Sequence, residues 1–177
     1  TWQARAELDE AIAAVRRFTN WQVARPDRTV LGSEIKFEQE VDVGGEQVVV
    51  SGVVDRLESD ADGQLHIVDL KTQRNAISSS AVAVHRQLSL YQVVAHEGAF
   101  CDDDAQPAPV GGAELVQLRV GVAGADLPKV QEQGAIDPQQ VRDSLALAVK
   151  TIRNEDFAPN PSQTQCRTCT FAQICPA

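Results

Sequence analysis

Apolar residues recur at helical spacing at the start of the chain. Between Trp2 and about Trp21, charged residues alternate with apolar ones at Ala6, Leu8, Ile12, Val15 and Phe18. This period of about 3.6 residues is typical of an amphipathic helix. Asn20 and Pro26 follow, and we expect the helix to end there.

The apolar period then changes to two between Val30 and Thr72. Alternation of this kind, rich in β-branched residues, predicts strands. Gly and Asp residues at 43–46 and 59–63 tolerate turn dihedral angles, so we expect hairpin connections. The sequence therefore predicts a meander of three strands, at 35–38, 48–54 and 65–71.

The second half of the chain predicts further elements of both kinds. Helical spacing returns from about Ser80 to His96, an apolar segment from Leu115 to Val122 is typical of a strand, and Asp137-Pro138 is a good start for a helix to about Ile152. Two segments with little periodicity remain, and we expect a solvated acidic loop at 101–109 and a cysteine-containing tail at 157–177.

Three charged residues lie at the ends of apolar strands, where an unpaired charge is costly. They are Asp55, Asp69 and Lys71. If the second and third strands form a hairpin, the two carboxylates lie close together and repel each other unless a divalent cation such as Mg²⁺ occupies the gap. Lys71 shares a face with Asp69 and would orient a water or stabilise negative charge in the transition state.

Each of these residues also has an ordinary interpretation. Asp55 fits a strand end, and Asp69 with Lys71 fits a surface ion pair of little energetic value. The next helix favours a chemical site, because Gln87 and Tyr91 are four residues apart and share a face. A core tyrosine beside an exposed glutamine is the alternative.

Composition and charge limit the class of protein. A length of 177 residues fits one domain, and 43% apolar with 23% charged residues excludes disorder and fibres. Sixteen basic against 25 acidic side chains give 16 − 25 = −9, which argues against a general basic surface for nucleic acid. The sequence has no long apolar run and no secretory leader, so we expect a cytoplasmic protein without membrane contact. It contains no methionine, and we expect a segment of a longer chain.

Several short motifs occur in a familiar order. Residues 52–56 (GVVDR), 69–72 (DLKT) and 87–91 (QLSLY) resemble the G-x-x-D-R, D-x-K-T and Q-x-x-x-Y motifs of the RecB-like branch of the PD-(D/E)XK nucleases. Residues 34–37 (EIKF) are similar to the E-x-x-F strand often seen before them. The resemblance implies an α/β, restriction-endonuclease-like fold: a mixed central sheet with helices on both sides and Gln87–Tyr91 on the crossover helix.

The resemblance also assigns roles around a metal ion. It implies that Asp55 and Asp69 bind Mg²⁺ or Mn²⁺, that the Leu70 carbonyl joins them, and that Lys71 is the active-site lysine.

Other residues would hold the DNA or support this centre. The resemblance implies that Gln87 and Tyr91 line the site, where they hold a DNA strand or order the lysine. Glu34 joins the predicted set, with a salt bridge at a strand start as its alternative. Arg56 is expected to anchor neighbouring carboxylates or a phosphate. These nucleases usually carry a further metal-binding histidine ahead of the sheet, a position that none of His66, His85 and His96 occupies.

The cysteines point to a second metal centre. The C-x₂-C-x₅-C spacing of Cys166, Cys169 and Cys175 looks like part of the iron–sulfur staple of AddB-type nucleases, whose fourth thiolate lies far upstream. A [4Fe–4S] cluster normally needs four cysteines, and the acidic surroundings of Cys101 make it a poor fourth ligand. We therefore expect an incomplete cluster here. A zinc site with His96 is the chemical rival.

Function follows from the resemblance as an expectation. It implies an Mg²⁺- or Mn²⁺-dependent deoxyribonuclease, the C-terminal module of a UvrD/Rep-like, AddAB-type helicase–nuclease that repairs double-strand breaks. Its partners would be DNA, the helicase domains of the same polypeptide and a second helicase–nuclease subunit. The sequence has no G-x-x-x-x-G-K-[ST] loop, so ATP would bind elsewhere in the protein. The alternatives are a catalytically inactive DNA-guiding scaffold and a hydrolase of another phosphoester.

Overall fold

The computed structural model describes residues 1–101, 106–155, 157–159, 161–162 and 166–175. The described residues form both helices and strands. In order they are α1 (Trp2–Val23), β1 (Thr29–Val43), β2 (Glu46–Ser59), β3 (Leu65–Lys71), α2 (Ser79–Ala83), α3 (Arg86–His96), β4 (Val110–Gly121), β5 (Pro128–Gly134) and α4 (Pro138–Arg153).

The strands form one mixed sheet of five, in the order β1-β2-β3-β4-β5. β3 and β4 are parallel, and the other neighbours are antiparallel. A parallel pair needs a crossover connection, which α2 and α3 supply. The predicted α/β fold with its meander of β1, β2 and β3 and its crossover helix is confirmed.

Helices cover both faces of this sheet. On one face, residues of α3 pack against the strands in the main core, which includes Val54, Ile67, Leu88 and Leu115. On the other face, Trp21 of α1 is buried against Val68 and Val116. The expectation of helices on both sides is therefore confirmed as well.

Buried charges hold the end of α1 on the sheet. Arg25 follows the helix and lies over the Trp21 ring, 4.4 Å from its centroid. Its Nη1 atom lies 2.6 Å from Glu114 Oε1 and 3.4 Å from Glu58 Oε2. Both glutamates are almost fully buried, so each needs a cation to offset the loss of water.

Three sequence-based expectations differ from the structure. The single helix expected from about Ser80 to His96 is wrong, because α2 ends at Ala83, with Val84 as its C-cap, and His85 caps a separate α3. β4 begins at Val110 instead of Leu115. β5 was not predicted at all, since the residues it turns inward include Gln131 and Gln133 instead of apolar side chains.

Two expectations fall partly outside the described residues. In the predicted acidic loop, residues 102–105 lie outside them, as do residues 160, 163–165 and 176–177 of the predicted tail. Among the helices of the described ranges, none is long and apolar enough to cross a membrane.

Candidate active site

Asp69 and Lys71 form an ion pair at the end of β3. Alternation along this strand turns Leu65 and Ile67 into the core, and Asp69 follows on the same face with 3% of its surface exposed. Lys71 Nζ lies 2.6 Å from Asp69 Oδ2, and 27% of the lysine side chain is exposed. The aspartate is therefore buried while the lysine reaches solvent, which is not the arrangement of an ordinary surface pair.

Asp55 of β2 faces the same region. The β2–β3 register pairs Arg56 with Val68, so Asp55 and Asp69 are the next positions along the antiparallel pair. The Leu70 backbone N–H donates a hydrogen bond of 2.7 Å to Asp55 Oδ2. This contact orients the Asp55 carboxylate toward the end of β3. The structure thus brings together the two predicted carboxylates, Leu70 and Lys71.

Burial changes the acidity of this centre. Loss of water around Asp69 raises the pKa of its carboxyl, the Lys71 ammonium opposes that rise, and the negative charge of Asp55 adds to it. The Asp69 Oδ2 atom is buried and has no aligned hydrogen-bond donor. A cation placed between Asp55 and Asp69 would relieve both conditions.

Gln87 and Tyr91 connect α3 to this centre. Gln87 Nε2 donates to Tyr91 Oη at 2.9 Å, and Tyr91 Oη donates to the Val53 carbonyl at 2.9 Å. Lys71 Nζ lies 3.5 Å from Gln87 Oε1. The two side chains meet because positions four apart on a helix are neighbours. The expected pair therefore forms a chain of contacts from β3 through α3 to β2.

Glu34 lies nearby without joining this chain of contacts. It occupies the position opposite Asp55 in the β1–β2 register, between the pairs Ser33–Arg56 and Ile35–Val54. Its φ angle is 53°, a conformation that non-glycine residues rarely adopt. Its side chain is exposed and makes no hydrogen bond or ion pair within the described part of the chain.

Arg56 points to the opposite face of the sheet. Its Nε donates to Glu58 Oε1 at 2.6 Å, and its guanidinium lies 5.5 Å from the Trp21 ring centroid. Of the two expectations for Arg56, the geometry matches anchoring of a neighbouring carboxylate, since the residue is only 7% exposed.

The histidines have different surroundings. His66 Nε2 lies 2.9 Å from Asp60 Oδ2, and this hydrogen bond lowers the pKa of the Asp60 carboxyl, so His66 has a structural partner. His85 caps α3 through Nδ1, which accepts from the Leu88 N–H at 3.4 Å. It is also near enough that a positive charge on its ring lowers the pKa of Asp69. Sequence reasoning missed His85 as a neighbour of the site because the predicted helix ran through it.

The oxygen atoms of this centre suit a hard cation such as Mg²⁺. Asp55 and Asp69 provide carboxylate oxygens, and Mg²⁺ is commonly bound through one or two carboxylates with water and substrate phosphate as the other ligands. No group of three or more His, Cys, Asp or Glu residues gathers within the described ranges. Cys166, Cys169 and Cys175 form no disulfide within the described ranges, and all three are exposed.

Comparisons with known proteins concern the family and the fold. The family model of the PD-(D/E)XK nuclease superfamily matches residues 1–176. A solved structure described as the crystal structure of SSO0001 is similar in fold, with a TM-score of 0.50, 16% sequence identity, and coverage of 92% of this chain and 68% of that one. No curated protein matches the sequence.

Proposed function

The chain belongs to the PD-(D/E)XK nuclease superfamily, and on that premise we propose that it is a metal-dependent deoxyribonuclease of the RecB-like branch. One observation carries the proposal. The buried Asp69 pairs with Lys71 beside Asp55, at the point where Gln87 and Tyr91 cross from α3 to the sheet. All five positions belong to the three motifs that resemble RecB-like nucleases.

Each side chain has a task in phosphodiester hydrolysis. Mg²⁺ or Mn²⁺ held by Asp55 and Asp69, with the Leu70 carbonyl as a further candidate ligand, would polarise a phosphoryl oxygen and supply hydroxide near neutral pH. The Lys71 ammonium stabilises the negative charge that develops on the phosphate, since a preorganised cation is most effective in a partly buried site. Gln87 keeps the lysine at the site through its Oε1 atom, 3.5 Å from Nζ.

The wider setting is part of the same proposal. We place residues 1–177 as one nuclease domain of a cytoplasmic helicase–nuclease that acts in double-strand break repair, with helicase domains in the same polypeptide and a second subunit as partners. A net charge of −9 supports delivery to DNA by a motor, because the chain lacks the positive charge to capture DNA by itself. The spacing of Cys166, Cys169 and Cys175 supports a [4Fe–4S] cluster whose fourth thiolate lies elsewhere in that protein.

Degradation of linear duplex DNA tests the function. We expect cleavage by the wild type with Mg²⁺ or Mn²⁺ and a loss of at least about 10³-fold in Asp69→Asn, because a metal ligand and its charge are worth several kcal/mol in the transition state. Asp62→Asn is the matched control. It removes an exposed carboxylate of the β2–β3 turn, and its cleavage rate should equal that of the wild type.

Two results would overturn the assignment. Undiminished cleavage by Asp69→Asn would show that the activity comes from another site or a contaminant. A folded wild type that binds DNA but no metal, and cleaves nothing, would favour the inactive DNA-guiding scaffold instead. Isothermal titration with Mn²⁺ separates these cases, because the scaffold has no metal affinity for Asp69→Asn to abolish.

A further inference from the structure

Four glutamines are buried at the centre of the molecule, on the sheet face covered by α2 and α3. They are Gln92, Gln117, Gln131 and Gln133, none more than 6% exposed. A buried amide group costs free energy unless its donors and acceptor are paired. The partners of these amides therefore indicate what the glutamines hold in place.

Gln133 of β5 spans the junction between α2 and α3. Its Nε2 atom lies 3.1 Å from the Val82 carbonyl oxygen and 3.3 Å from those of Ala83 and His85. It also lies 3.1 Å from Ser89 Oγ, in the first turn of α3. The last carbonyl groups of a helix lack partners within the helix. The Gln133 amide group thus contacts both the end of α2 and the beginning of α3.

The other glutamines fix this amide and the chain before it. Gln92 Nε2 donates to Gln133 Oε1 at 3.1 Å, which determines the orientation of the Gln133 amide. Gln117 Nε2 donates to Gln131 Oε1 at 3.2 Å, and Gln131 Nε2 donates to the Ile77 carbonyl at 2.8 Å. The pairs form a polar layer between the β4–β5 edge and the crossover helices.

The junction determines where the site residues of α3 lie. Gln87 is the second residue of α3 and Tyr91 lies one turn further, so a change in the angle at Val84–His85 moves both side chains. Their contacts with Lys71 and Val53 are single hydrogen-bond distances of 3.5 and 2.9 Å. A rotation of α3 by a few degrees would lengthen or break them.

We infer that Gln133 is a positioning residue, whose amide fixes the angle between α2 and α3 and thereby places Gln87 and Tyr91 against Lys71 and Val53. It acts through the helix and touches none of the four site residues. The kinetic part of this inference rests on the proposed nuclease function, whereas the structural part does not.

Tyr91 offers a readout independent of activity, because it is the one tyrosine of the chain. Protein labelled with 3-fluorotyrosine gives a single ¹⁹F resonance that reports the surroundings of its hydroxyl. Gln133→Met keeps the approximate shape of the side chain and removes the donor. We expect a shifted or broadened resonance and a kcat lower by about tenfold or more, with KM for DNA changed less than about threefold, because misplacement of a catalytic group acts on the chemical step.

Gln131→Met is the matched control. It removes a buried amide from the same strand, but that amide binds Ile77, before α2 begins. We expect a loss of thermal stability similar to that of Gln133→Met, with the ¹⁹F resonance and kcat of the wild type. Equal effects of the two variants on the resonance and kcat would reduce the role of Gln133 to general core stability and overturn the inference.

Three further outcomes also test the role of Gln133. If Gln133→Met does not fold, Ser89→Ala removes the hydroxyl that Gln133 donates to and should shift the resonance in the same direction. A folded Gln133→Met with an unchanged resonance and kcat refutes the inference. If the wild type cleaves no DNA yet the resonance moves as expected, the positioning of α3 stands and the nuclease function fails.

Discussion

Asp69 combines two properties that oppose each other in the metal-free protein. Its burial favours the neutral carboxyl, whereas metal binding requires the charged one. Because its pKa is raised in the folded state, the folded protein holds this proton more tightly than the unfolded chain does. The free energy of unfolding therefore falls as the pH rises from the unfolded value of 3.8 through the raised folded pKa.

Asp69→Asn should remove this pH dependence. In EDTA, we expect its stability relative to the wild type to improve as the pH rises from about 4 to 7, measured by thermal unfolding. Addition of Mn²⁺ at pH 7 should then raise the Tm of the wild type and leave that of Asp69→Asn unchanged. A variant that loses equal stability at both pH values would show that folding does not raise the pKa of Asp69.

At this scale, sequence reasoning predicted the residues with regular geometry. Alternation along β3 placed Asp69 and Lys71 on one face, and a spacing of four paired Gln87 with Tyr91. It could not place Arg56, because β2 does not alternate regularly there: Val54 and Leu57 both lie in the main core, where strict alternation puts them on opposite faces.

Among the elements, α1 is held by charge as much as by apolar contact. Arg25 is the shared cation of Glu58 and Glu114, and burial raises the pKa of the Glu114 carboxyl against the opposing effect of Arg25. Removal of one member of such a network leaves an uncompensated buried charge. This lowers the free energy of unfolding by more than the intact network adds to it.

Arg25→Met should therefore destabilise the protein by about 3–5 kcal/mol at pH 7.5. The loss should be smaller at pH 4.5, because protonation of Glu114 removes the charge that Arg25 balances. Urea unfolding at the two pH values measures both quantities. Arg16→Met, which breaks the exposed Arg16–Asp126 pair on α1, is the control and should cost about 1 kcal/mol or less.

The elements that the sequence failed to predict share a physical cause. β5 presents Gln131 and Gln133 to the interior. At the end of α2, the Gln133 amide donates to the carbonyl oxygens of Val82 and Ala83, in place of backbone N–H groups of a continuing helix. Hydrophobic periodicity detects only apolar burial. A buried polar layer, whose stability comes from hydrogen bonds between distant segments, leaves no such pattern along the chain.

Over the whole molecule, several cations are already paired with carboxylates. Lys71 contacts Asp69, while Arg74, three residues further on, and Arg119 of β4 contact Glu7 and Glu10 of α1. The chain also carries a net charge of −9, which opposes the approach of DNA phosphates. Each phosphate neutralised contributes about −0.9 to the slope of log K against log salt concentration.

We therefore expect weak DNA binding with a slope shallower than about −2, dependent on a divalent cation that bridges the carboxylates and a phosphate. Fluorescence anisotropy of a labelled duplex between 50 and 200 mM salt, with Ca²⁺ to limit cleavage, measures the slope. Asp55→Asn should remove the cation dependence, because the bridge needs that carboxylate. A slope steeper than about −4 in the wild type would mean that a basic surface binds the DNA, and a motor would then be unnecessary for delivery.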